Sequence, residues 1–202
     1  MNQAVEQVDK AFFYIIGFSF IFLFVITLVM IWFVIRYRRS KNPEPSDIRG
    51  NLFLEIVWVV IPTIIALSMF GIGWKSYTGL RNVPEGAIEV KVIAQMYSWV
   101  FIYDNDKESV NELIVPKGKP VKLNITSEDV IHSLFIPSFR VKVDAVKGMN
   151  TYAWFYPDKI GKYKLHCTEF CGVGHSDMSG VVKIVSKEDF DKWMAEEDDD
   201  DE

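Results

Sequence analysis

Cysteine is nearly absent from this chain of 202 residues: there are two, Cys167 and Cys171. Two are too few for a disulfide framework, so their spacing matters more than their number. Histidine is almost as scarce, with His132, His166 and His175 the full complement. The chain has no basic stripe and no nucleic-acid motif, which excludes nucleic acid as a partner. It lacks a Cys-x2-Cys-His segment and so carries no c-type heme of its own. It also lacks an internal repeat. Most telling, no charged residue occurs from Ala11 to Ile35.

That last absence sets the architecture. Twenty-five uncharged residues at helical rise cover roughly 37 Å, more than a hydrocarbon core of about 30 Å. A second run, Leu52 to Gly73, holds one charge, Glu55, and one proline, Pro62. A signal peptide needs a basic start and a shorter apolar core. The start here is MNQAVEQVDK, so the first run reads as a retained anchor. The loop between the runs carries Arg36, Arg38, Arg39, Lys41 and Arg49 against Glu44 and Asp47. The positive-inside rule makes that loop cytoplasmic and both termini external, with Trp32 and Trp74 as interfacial aromatics. The expected layout is an external N-terminus over 1–10, transmembrane helices over 11–35 and 52–74, and a cytoplasmic loop over 36–51. An external domain over 75–195 and an acidic tail over 196–202 follow. Glu55 is either a boundary carboxylate that reaches the interface or a polar group feeding a proton route in a partner.

Charge is uneven as well. The net charge of −5 is concentrated in the run Glu196 to Glu202. Without that run, residues 75–195 hold sixteen basic against fifteen acidic side chains. The domain is nearly neutral. Its tail is a solvated end or a docking tail.

After Tyr77 the pattern becomes β-rich. Strands are expected at Ile88–Ala94, Tyr97–Tyr103, Glu112–Val115, Pro120–Thr126, His132–Ile136, Arg140–Val143, Thr151–Tyr156, Tyr163–His166 and Gly180–Val185. Turn residues such as Pro84-Glu85-Gly86 and Pro116-Lys117-Gly118 separate them. Many short strands with regular turns predict an all-β antiparallel sandwich or barrel. A short helix is expected after Ser186, with Asp189 as its capping partner.

The stretch Cys167-Thr-Glu-Phe-Cys171-Gly-Val-Gly-His175-Ser-Asp-Met178 concentrates the chemistry. Thiolate, imidazole and thioether form a soft ligand set suited to redox copper. A blue-copper site uses one cysteine, two histidines and an axial methionine, and this chain has one cysteine more. Two thiolates from one loop can bridge two copper ions, each ion taking one histidine (His132 or His175) and one weaker ligand (Met178 or an oxygen). A Cys167–Cys171 disulfide and a Cys2His2 zinc site are the competing readings. His166 adjoins Cys167 on a strand, where neighbours face opposite ways, and so reads as a non-ligand.

At these residues the sequence resembles subunit II of the cytochrome c oxidases, in the heme–copper oxidase superfamily. The Cys-x-Glu-x-Cys-x3-His-x2-Met pattern carries the resemblance, with His132 in Asp-Val-Ile-His-Ser and the segment Pro137-Ser-Phe-Arg-Val-Lys-Val-Asp-Ala-Val-Lys-Gly-Met149. The resemblance implies a cupredoxin fold holding the binuclear CuA centre on His132, Cys167, Cys171, His175, Met178 and the backbone carbonyl of Glu169. It further implies that the Glu169 side chain reaches a magnesium ion shared with subunit I, with Asp144 near that boundary. Glu55 would stand at the mouth of a proton channel. Glu128 and Asp129 would face cytochrome c, and electrons would come in at Tyr97 and Trp99. The implied partners are subunit I with its heme, subunit III and a cytochrome donor, in a bacterial-type inner membrane. The implied role is to accept electrons and pass them to subunit I, where oxygen is reduced to water and protons are translocated. Two departures bear on the donor. Tyr97 replaces the tryptophan usual in the family's aromatic patch, and Ile102 stands where an acidic residue is common. A membrane-held or supercomplex cytochrome therefore fits as well as cytochrome c. A copper subunit of a nitric oxide reductase and a membrane-tethered copper carrier remain the alternatives. A quinol-oxidising relative would lack the two cysteines.

Overall fold

The computed structural model describes residues 3–44 and 50–196. Asp47 and Arg49 of the inter-helix loop, and the tail from Glu197 onward, lie outside the described residues. Two units are distinct: one comprises Gln7–Tyr77, the other Met1–Glu6 with Thr78–Glu202.

The first unit is built on two long helices, α1 (Gln3–Arg36) and α2 (Leu52–Arg81). Both are apolar enough and long enough to cross a membrane. Phe13, Phe20, Val34, Phe53 and Leu67 are among many exposed apolar side chains on them. A surface of that kind is covered by lipid or by another protein. Asn51 starts α2, its Oδ1 accepting from the N–H groups of Phe53 and Leu54 at 3.0 and 3.2 Å. Glu55 follows in the first turn, where the helix dipole favours a carboxylate. The helices are tied by Tyr14 Oη and Ser68 Oγ, 2.9 Å apart, and by Ser76 Oγ donating to Gln7 O at 3.2 Å.

The second unit is a sandwich of two five-stranded sheets. The strands are β1 (Ile88–Gln95), β2 (Ser98–Ile102), β3 (Glu108–Val110), β4 (Glu112–Pro116), β5 (Val121–Ser127), β6 (His132–Ile136), β7 (Val141–Ala145), β8 (Thr151–Phe155), β9 (Gly161–Cys167) and β10 (Ser179–Val185). One sheet runs β3-β2-β1-β5-β8 and the other β4-β10-β9-β6-β7. The pairs β1/β5 and β4/β10 are parallel, and the rest are antiparallel. Period-two alternation buries Val121, Leu123 and Ile125 against Leu134, Ile136, Leu165 and Val182 of the facing sheet. The closing helix α3 (Lys187–Ala195) starts at Ser186, whose Oγ accepts from Asp189 N at 3.0 Å.

Three points of the sequence reading need correction, the first being the wholly antiparallel sandwich, since β1/β5 and β4/β10 run parallel. Tyr97 does not begin a strand: Gln95 pairs with Ser98, so Met96 and Tyr97 form the two-residue turn between β1 and β2. At that tip the side chain escapes the strand alternation and is free to lie sideways. The strand β3 was not foreseen, because three residues at an exposed sheet edge leave no periodic apolar signal.

Candidate metal centre

The loop from Thr168 to Met178 joins β9 to β10 and is closed at its neck. Cys167 N donates to Met178 O at 3.1 Å, and His166 lies opposite Ser179 in the ladder. A 3-10 turn over His175–Asp177 reverses the chain inside the loop. From the neighbouring strand, Leu134 pairs with Cys167, and this register brings His132, at the start of β6, alongside the loop.

Five side chains with soft donor atoms converge there. Cys167 Sγ and Cys171 Sγ stand 3.9 Å apart, far beyond the roughly 2.05 Å of a disulfide, and both are free thiols. Met178 Sδ lies 3.7 Å from Cys171 Sγ and 3.1 Å from His132 Nδ1. His132 Nδ1 is 3.9 Å from Cys167 Sγ, and His175 Nδ1 is 3.5 Å from Cys171 Sγ. Cys167 Sγ also donates to the carbonyl oxygen of Glu169 at 3.3 Å. His132, Cys167 and Cys171 present ligand atoms within 4.8 Å of one another. A metal–thiolate bond is about 2.3 Å, so sulfurs up to roughly 4.6 Å apart can share an ion. At 3.9 Å both can hold one ion on either side of the line joining them. The donor set fits a thiolate-bridged metal pair.

The tautomer of His132 follows from its second partner. Its Nε2 lies 2.7 Å from Asp129 Oδ1. An ionised carboxylate only accepts, so Nε2 carries the hydrogen and Nδ1 keeps its lone pair toward the sulfurs. Asp129 is ionised. Burial alone would raise its pKa, but hydrogen bonds from His132 and from the backbone N–H groups of Met96 and Val130 prevail and bring it to about 2. Cys171 moves the other way, raised to about 11 by burial, then by the Cys167 sulfur beside it.

The other expected site residues separate. Trp99 is fully buried, its ring edge-on to His132 with centroids 6.2 Å apart, and is not part of a surface patch. Tyr97 is exposed and covers the loop: a Cβ added at Gly172 would meet its Oη at 2.6 Å, and one at Gly174 its Cδ2 at 2.6 Å. Asp129, half-buried, is held by hydrogen bonds from Met96 N, Ser127 Oγ, Val130 N and His132 Nε2, whereas Glu128, Asp144 and the Glu169 side chain are exposed. His166 is half-buried between Leu165 and Cys167. The glycine seat for Tyr97 was missed, although Gly-Val-Gly inside the cysteine loop is a signal of close backbone approach. Changing Gly174 to Ala tests that seat. Gly174 has φ −87°, so alanine is tolerated by the backbone and only the Tyr97 ring must move. If Tyr97 is where electrons come in, as the family resemblance implies, the result is slower electron input with copper still bound, read by stopped-flow absorbance.

Two family profiles match this chain: "Cytochrome C oxidase subunit II, transmembrane domain" over residues 1–75 and "Cytochrome C oxidase subunit II, periplasmic domain" over residues 103–185. The chain belongs to the cytochrome c oxidase subunit II family. A probable cytochrome c oxidase subunit 2 of Rickettsia bellii is 29% identical over 95% of this chain and 79% of its own length. One of Rickettsia felis is 32% identical over 86% of this chain, which spans 65% of that relative. Among solved structures, the periplasmic domain of subunit II of the Bradyrhizobium japonicum cytochrome oxidase is 27% identical. It covers 56% of this chain and 95% of its own, with a TM-score of 0.55. The subunit II fold is thus a pair of apolar helices with a cupredoxin-like sandwich. As a subunit II the protein accepts electrons for a terminal oxidase in a membrane, and its Cys/His cluster is a copper site.

Proposed function

We propose that the copper site is the binuclear CuA centre, held by Cys167, Cys171, His132, His175, Met178 and the Glu169 carbonyl. The observation that carries this reading is the pair of free sulfurs 3.9 Å apart with an imidazole Nδ1 beside each. A copper pair held by these residues would supply one-electron relay.

The chain's own residues prepare that chemistry. Burial of His132, Met178, Cys171 and Cys167 keeps water from the ligands. Asp129 fixes His132 as a donor through Nδ1, and the Phe170 ring, edge-on at 5.8 Å, borders His175. A β-sandwich with the loop closed at its neck holds the donors still, so little rearranges when an electron passes. Tyr97, lying over Gly172 and Gly174, is the point of electron input from a cytochrome, either cytochrome c or a membrane-held one. Electrons leave to the heme of subunit I, in a complex that includes subunit III.

In this reading the inter-helix loop is cytoplasmic and the sandwich, over 75–195, is external. The basic residues Arg36, Arg38, Arg39 and Lys41 of that loop support the orientation. The exposed Glu169 carboxylate, with Asp144, borders subunit I and holds a shared magnesium ion. Glu55, in the first turn of α2, feeds a proton path of subunit I. The test is copper loading of the full-length chain. Two ions per chain, a purple colour and an electron resonance spectrum with the unpaired electron shared by two copper nuclei are expected. A spectrum confined to one nucleus overturns the binuclear reading.

A further inference from the structure

We propose that Asn111 is a positioning residue of the copper centre, fixing the wall beside His132 and the strand behind Met178 through one corner of the backbone. This rests on the reading of His132 and Met178 as copper ligands. Asn111 is not among the donors and acts through its neighbours. It stands between β3 and β4, where the chain leaves one sheet and enters the other. Its φ is 58°, a left-handed conformation that asparagine takes more readily than most residues with a side chain.

Three hydrogen bonds meet at that corner. Trp99 N donates to Asn111 Oδ1 at 2.8 Å, and Asn111 N donates to Trp99 O at 2.7 Å. Asn111 thus stands in for a strand neighbour where β3 has ended, since the β2/β3 ladder stops at the pair Val100–Val110. On its other side Asn111 O accepts from Val181 N at 2.9 Å. Gly180 lets the two segments come this close: a Cβ there would meet Asn111 O at 2.7 Å. One residue therefore clasps β2 of the first sheet and the start of β10 of the second.

Both clasped strands lead directly to ligands. Trp99 is fully buried and lies edge-on to His132. A buried indole N–H usually finds an acceptor, yet Trp99 Nε1 has none among the described residues. With no polar bond of its own, the ring is placed by packing and by its backbone, and Asn111 grips that backbone at both N and O. Met178 comes three residues before Val181, and its Sδ lies 3.1 Å from His132 Nδ1. A shift of the corner moves both the wall beside the imidazole and the thioether next to it. The potential of a copper–thiolate site follows such weak donors. Loosened donors cost the more highly charged oxidised copper more than the reduced form, so the potential rises.

The experiment compares variants of the full-length chain loaded with copper, read by metal content, redox titration and electron resonance. Asn111→Gly keeps the left-handed turn and removes the acceptor for Trp99 N, whereas Asn111→Asp keeps an oxygen there. The glycine variant is expected to hold its copper with an altered hyperfine pattern. Its reduction equilibrium constant is expected to rise about tenfold, about 59 mV for one electron. The aspartate variant is expected to show the parent's hyperfine pattern, which is its readout because a carboxylate charge moves a potential by itself. Gly180→Ala presses on Asn111 O from β10 and is expected to raise the potential too. It decides the matter if the glycine variant does not fold. A loaded glycine variant with the parent's potential and pattern overturns the proposal. So does an identical altered pattern in the glycine and aspartate variants, or an alanine variant with the parent's potential. A parent spectrum confined to one copper nucleus refutes the two-copper reading instead, and the variants are still compared by their potentials.

Discussion

Replacing Cys171 by serine should, on the proposed two-copper reading, cut copper content to one ion or none, abolish the purple absorption, and stop turnover of the assembled oxidase. The reason is geometric. With sulfurs 3.9 Å apart, each ion of a pair needs both thiolates, and the remaining donors offer one imidazole per ion. A serine oxygen is harder and shorter than sulfur and holds copper poorly. Metal analysis with the absorption spectrum checks this, and two tightly held ions in the variant would contradict the bridging role. The same residue gives the pH dependence its sign. Cys171, raised to about 11, is protonated at neutral pH, and copper must displace that proton. Apparent copper affinity therefore rises about tenfold per pH unit for each proton released, and loading weakens in acid. Proton release on copper addition, followed in weakly buffered solution, measures it.

Changing Asp129 to asparagine should weaken copper binding by about 10–100-fold, the usual cost of losing the partner of a ligating imidazole. Asparagine can present its amide N–H to His132 Nε2, which allows the hydrogen to move to Nδ1, the atom that must donate. It also removes the negative charge that favours a metal-bound imidazole. The parent carboxylate holds three donors at 2.7 Å each, so the variant also loosens the Met96–Tyr97 turn. Both consequences appear in one experiment: copper affinity falls, and so does the electron-input rate of copper-saturated protein. A variant with unchanged copper affinity would show that the Asp129–His132 contact is incidental.

Much of this was legible in the chain itself. The uncharged run from Ala11 to Ile35 announced a helix, although α1 starts earlier, at Gln3, because helical hydrogen bonding continues past the last apolar residue. The period-two segments gave the strands to within a residue or two. The cysteine loop was readable because its donors lie within twelve residues of sequence. Features made by contacts across the fold were not readable. Tyr97 and Trp99 are two residues apart and look like one aromatic patch. A tight turn sends one over the copper loop, and the pleat buries the other beside His132. Asp129 next to Glu128 looked like a second free surface acid, and only the meeting of two turns shows its carboxylate, half-buried, engaged by His132 and the Met96 and Val130 N–H groups.

The register that sets His132 alongside the cysteine loop also dictates an order of assembly. His132 comes from one strand, and the other side-chain donors arrive 35 or more residues later, brought together only when Leu134 finds Cys167. Such distant pairings form late as a chain collapses. Whatever delivers copper must therefore wait until β6 has paired with β9, and a chain that has not yet made that pairing offers it no complete nest.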